Sequence, residues 1–115
     1  MKNPLDPRHK KRQKLVEELF KGDFLSQPMS LVAKDIFAKK AFLDEQIEKA
    51  APEFPIEKIN KVDVAILRLA VYELTVTKEV PPKVIVDEAI ELAKEYGGEH
   101  SSSFVNAALD KIIKA

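Results

Sequence analysis

The 115-residue chain is 45% hydrophobic and holds only three glycines, enough for one small core and too little for two ordinary domains. It has no cysteine, which excludes disulfides, thiolate metal sites and cysteine nucleophiles. A formal net charge of zero hides a division: residues 1–14 carry six cations and one acid, the remainder thirteen cations and eighteen acids, so a mildly acidic body bears a basic head suited to an anionic partner. The first twenty residues lack the apolar stretch of a signal peptide, and the longest mainly apolar run, Val64 to Val71, is interrupted by Arg68 and is far short of a membrane span. A soluble, cytoplasmic protein of one domain over 1–115 is expected, with residues 1–7 as a flexible N-terminal segment.

Taken in chain order, Asp6-Pro7 ahead of "RHKKRQKLVEELF" predicts a helix start, Asp6 accepting from free amides and Pro7 at the first helical position; Gly22 ends it. Past Pro28, Val32, Ile36, Leu43 and Ile47 recur at helical spacing, which predicts one helix to about Ala50. Pro52 and Pro55 impose a loop. Asn60, with Asp63 three residues on, opens a third helix whose apolar residues Val64 to Leu74 lie nearly all round it, the pattern of a central buried helix. Pro81-Pro82 launches a fourth, with Ile85, Ala89, Leu92 and Tyr96 inward and Asp87, Glu88, Glu91, Lys94 and Glu95 on a solvated face. Gly97-Gly98 predicts a left-handed exit, and a serine of "EHSSS" caps the last helix, which runs through Phe104, Val105, Ala108, Leu109 and Ile112. The fold class is all-α, a helical bundle of five to six helices.

The basic head is the chemically distinctive stretch. Leu15, Val16, Leu19 and Phe20 set the inward face of the first helix, and stepping back along it reaches Arg12, then Arg8. An unpaired charge in a core costs several kcal/mol, so this end is expected to overhang the bundle or line a wet groove, with Lys10, Lys11 and Lys14 on its other side. Cations at a helix start oppose the macrodipole, an arrangement that a bound anion reverses. A solubilising head and a polyphosphate-binding head, most plausibly for nucleic acid, are the two readings. No phosphate-binding glycine loop or zinc ligand set is present. His9 and His100 read as exposed polar residues, and Ser101, Ser102 and Ser103 as a helix cap rather than a nucleophile site. No enzyme, metal or cofactor is expected.

Four stretches, "LRLAVYEL" (Leu67 to Leu74), "VPPKV" (Val80 to Val84), "DEAIELAKEYG" (Asp87 to Gly97) and "FVNAALDK" (Phe104 to Lys111), resemble in order and spacing the NusB family of bacterial transcription antitermination factors, and "RHKKRQKLVEELF" resembles that family's arginine-rich opening helix. The resemblance implies two packed helical subbundles, here with the first one shortened. It further implies binding of the boxA segment of nascent RNA together with the ribosomal protein NusE, within an RNA polymerase antitermination complex that supports ribosomal RNA transcription. Carried over residue by residue, the RNA surface is Arg8, His9, Lys10, Lys11, Arg12, Phe20, His100, Ser101, Ser102, Ser103 and Phe104, and Asp63 faces the protein partner. Phe104 serves equally as core or as a base contact. Residues 22–56 carry no alignable motif, His9 stands where arginine is usual, with Lys11 partly compensating, and His100 stands where an acid is frequent. Two alternatives are a helical protein-interaction module with a merely solubilising head, and a stand-alone relative of the domain that precedes the catalytic domain in some ribosomal RNA methyltransferases.

Overall fold

In the computed structural model, which describes residues 6–115, Asp6 accepts from the Arg8 amide at 2.9 Å and Pro7 takes the first helical position. Helix α1 runs Pro7–Gly22. Asp6 and Pro7, expected within a flexible segment, thus belong to the helix start, and the rest of that expectation, residues 1–5, lies outside the described residues. There follow α2 (Leu31–Ala38), α3 (Lys40–Ala50), a 3-10 turn at Ile56–Lys58, α4 (Lys61–Tyr72), a π-helical turn at Glu73–Thr77, α5 (Pro82–Tyr96) and α6 (Ser101–Lys114). No strand occurs among the described residues.

Every residue of α4 from Asp63 to Tyr72 is buried, as its all-round apolar pattern requires. Asn60 caps it, accepting from the Val62 amide at 2.9 Å. Around α4 pack α1, α2 and α3 on one side and α5 and α6 on the other, with α3 also reaching α6. The single helix expected between Pro28 and Ala50 is instead two, broken at Lys39 (φ −101°, ψ 13°). A straight helix of that length would extend about 30 Å and overrun α4; the break lets Ile36 on α2 and Leu43 and Ile47 on α3 all reach the core.

Arg68, the residue that interrupts the apolar run, ties three elements together. Its guanidinium bonds both oxygens of Asp44 on α3 at 2.8 and 2.9 Å and reaches Asp23, just past α1, at 3.1 Å. Burial opposes its charge, but Asp44 and Asp23 outweigh that, so its pKa lies above the usual arginine value. A paired, forked cation is the form in which a buried charge is tolerated.

The exit from α5 differs from expectation. Gly97 is extended (φ −90°, ψ −172°), and no glycine has a positive φ among the described residues; Lys78, after the π-helical turn, is the one left-handed position there. Glycine is needed at 97 for space: a Cβ would stand 2.4 Å from Ser101 Cβ and 2.7 Å from the Ala93 carbonyl oxygen.

Candidate nucleic-acid interface

The first turns of α1 divide into a pinned side and an open side. Arg8, Lys10, Lys11 and Lys14 are exposed; the Arg8 side chain, 79% accessible, pairs with Asp6, the N-cap of α1, at 3.2 Å. Arg12 is 8% exposed. Its Nε donates to Glu73 at 3.1 Å and its Nη1 to Glu88 at 3.4 Å. Arg12 thus follows the inward face as its spacing predicts, but carboxylates from the π-helical turn and α5 neutralise it, so this part of the head does not overhang.

His9 is not the exposed polar residue the sequence suggests. It is 5% exposed and lies between Glu88 and Glu95 of α5. At 3.6 residues per turn the inward stripe running back from Val16 and Arg12 passes between positions 8 and 9, and the side with carboxylates opposite it is the one that closes. Glu88 is likewise buried, not solvated as its place among Asp87 and Glu91 implied. Further along the same seam Gln13 donates to Glu95 at 3.2 Å, and the Tyr96 hydroxyl donates to Glu17 at 2.6 Å. Burial and the Glu17 carboxylate push the Tyr96 phenol up to about 12. Among the described residues no acid or histidine group has an arrangement that could hold a metal ion.

A groove of about 250 Å³ lies beside the α1 tip, lined by Arg8, Lys11 and Arg12 but also by Tyr72, Glu73 and Glu79. A second, of about 410 Å³, lies where α4 and α6 begin, and it collects Asp63, His100, Ser101 and Phe104 with Phe54 and Lys58. The two share no lining residue. The α1–α5 seam connects them, since Tyr96 immediately precedes the Gly97–His100 turn that borders the second groove.

His100, at that groove, is exposed; Ser103, just beyond it on α6, is exposed and Ser102 half-buried. Ser101 is buried; its hydroxyl accepts from the Gly98 amide at 2.9 Å and borders the groove beside Asp63. No serine side chain caps α6. Ser101 instead staples the turn to the start of α6. Asp63 is 6% exposed with Oδ1 unpartnered; burial raises its pKa, and the Ser101 hydroxyl only partly counters this. Phe104 packs on the core yet is only half-buried, standing edge-on to exposed Phe54 at 5.6 Å. Phe20 is half-buried and edge-on to exposed Phe24 at 5.1 Å. Phe54 and Phe24 were missed in sequence; an aromatic between Pro52 and Pro55, in a loop too short to bury it, was the available signal for the first.

These features define an all-helical protein whose basic opening helix is held by carboxylates against the body while one cationic flank stays open. The chain belongs to the NusB family, whose model matches residues 6–114. It is 45% identical over 83 residues to the transcription antitermination protein NusB of Acetivibrio thermocellus, covering 72% of this chain and 57% of that protein. It is 43% identical over 103 residues to the NusB protein of Aeromonas salmonicida, covering 86% and 75%. The chain thus spans somewhat over half the length of the first of these relatives. The solved structure of T. maritima NusB superposes with a TM-score of 0.80 at 32% identity, covering 99% of this chain and 93% of that one. That coverage includes residues 22–56, where no sequence motif aligned.

Proposed function

We propose that this protein is a non-enzymatic, cytoplasmic RNA-binding transcription antitermination factor that takes a boxA-type segment of nascent RNA together with the ribosomal protein NusE, within the RNA polymerase antitermination complex, and supports ribosomal RNA transcription. The observation that carries this reading is the open cationic flank of α1: Arg8, Lys10, Lys11 and Lys14 stay solvent-facing because the inward charges are neutralised from within. Those four cations neutralise phosphates and set the register of the strand. Phe20 and Phe104 with their exposed neighbours offer faces to unstacked bases, each stack contributing roughly 1–3 kcal/mol. His100, Ser102 and Ser103 supply polar groups near the second groove. Arg12, His9 and Ser101 are buried supports of the surface, and Asp63, at the start of α4, faces the protein partner. NusE, by supplying a second RNA surface, raises a weak single-protein affinity.

In fluorescence anisotropy a boxA-like RNA binds more tightly than a scrambled one of the same composition, and the difference grows when NusE is added. With four phosphate contacts, affinity falls with salt at a log-log slope of about −3. Equal affinity for both RNAs at every salt concentration, with and without NusE, removes specific recognition. Support for the reading comes from the family membership and from the names carried by the relatives.

A further inference from the structure

Both ring nitrogens of His9 face carboxylates. Nδ1 lies 2.9 Å from Glu88 Oε1, and Nε2 lies 2.9 Å from both oxygens of Glu95. A neutral imidazole has one N–H and one lone pair. In that state one nitrogen would set its lone pair against a carboxylate oxygen at hydrogen-bond distance, with the ring itself buried. Two donors exist only on the imidazolium, so the geometry itself selects the charged ring.

The surrounding charges select the same state. From α5 come Glu88 and Glu95; from the π-helical turn, Glu73; on α1 itself, Arg12 lies one turn on and bonds Glu73 and Glu88, while Gln13 shares Glu95. Arg8 adds its field at Glu88 from the exposed side. Three carboxylates thus meet one buried guanidinium, and a protonated His9 brings the cluster nearer to neutrality. Burial pulls the His9 pKa down, yet the bonds to Glu88 and Glu95 and their charges outweigh it and leave it above the ordinary 6.5.

We propose that His9 is a positioning residue: its doubly donating imidazolium clamps the first turns of α1 onto α5, and loss of one proton loosens the cationic tip, so that RNA capture weakens as pH rises. The final clause rests on the RNA-binding function; the clamp does not. The sign follows from the raised pKa of the folded state: the clamp contributes fully below about pH 6.5 and is lost as pH climbs through the higher folded value. An arginine at this position would hold the tip at every pH, whereas histidine makes the hold conditional.

The test combines nitrogen-detected imidazole NMR, thermal unfolding and RNA anisotropy from about pH 6 to about pH 8.5. The chain has only two histidines, and the His9→Gln variant assigns the His9 signals. His9 keeps protons on both nitrogens at a pH above the ordinary imidazole value of about 6.5. Wild-type unfolding temperature drops with rising pH relative to His9→Arg, while His9→Gln is destabilised at the acid end and converges on wild type at the alkaline end. Wild-type RNA affinity falls roughly three- to tenfold relative to His9→Arg over the same range. Should His9→Arg fail to fold, Glu95→Gln carries the same question, lowering the His9 pKa by removing one of the carboxylates that raise it. A single-tautomer neutral His9 near neutral pH, or parallel pH profiles for wild type and the variants, overturns the clamp. An NMR signature and stability profile as expected, with no RNA bound at any pH, upholds the clamp and overturns the RNA-binding function.

Discussion

The α1–α5 seam and the groove between α4 and α6 bury ionisable groups in opposite ways. In the seam, His9 and Arg12 have more carboxylate partners than they need. In the groove, Asp63 has Ser101 beside it and nothing on Oδ1. A fully satisfied cluster rigidifies what it joins, whereas a desolvated carboxylate with a free oxygen raises the energy of the folded state until it is protonated or something donates to it. The seam therefore fixes where the cationic tip stands, and the groove is the end of the molecule left chemically incomplete.

That contrast can be broken most severely at Arg12. Arg12→Met takes the guanidinium away from Glu73 and from Glu88, which keeps His9, and lowers stability by about 3 kcal/mol, measured by urea unfolding; a loss below about 1 kcal/mol would mean the pairing is dispensable. On the groove side, Gly97→Ala forces its Cβ into Ser101, costs about 2 kcal/mol, and breaks the Ser101 staple before it touches the seam. Amide exchange at α6 therefore speeds up while the start of α1 stays protected. The open flank responds differently: Arg8→Glu with Lys11→Glu weakens RNA binding at least tenfold, about 1.4 kcal/mol, while leaving unfolding within about 0.5 kcal/mol because neither side chain is buried. RNA affinity unchanged by that reversal would move the binding surface elsewhere.

The smallest effect sharpens the comparison through pH. Because burial raises the Asp63 pKa in the folded state, its contribution to stability is present below the unfolded value near 3.8 and is lost as pH rises through the folded one. At neutral pH the charged carboxylate is a liability. Asp63→Asn accordingly gains up to about 1 kcal/mol near neutrality and gains nothing in acid. An equal effect of Asp63→Asn at both pH values would remove the burial penalty assigned to that carboxyl.

Much of the architecture was legible because it rests on local rules. Asp6 and Pro7 open α1 and Asn60 opens α4 as capping chemistry dictates, and the all-round apolar face of α4 announced the central helix. The break at Lys39 was not legible: the apolar period runs through it, and only the short length of α4 forces the chain to turn. Gly97 was legible as necessary, but for a different reason. Its φ is ordinary, and the constraint is the close approach of Ser101 and the Ala93 carbonyl, each four residues away, which the path of the turn and not the residue pattern sets.

For the site, charge and spacing placed Arg12 on the inward face and Arg8, Lys10 and Lys11 on the first turns, and by themselves they determined that this helix is cationic at its start. Which of those cations are free was settled by tertiary structure alone, because Glu73, Glu88 and Glu95 are more than sixty residues away along the chain and meet α1 only when α5 folds back beside it. Periodicity is a property of one helix and can be read from it. Neutralisation of a buried charge depends on a partner brought from elsewhere in the chain, and only packing brings the two within 3 Å.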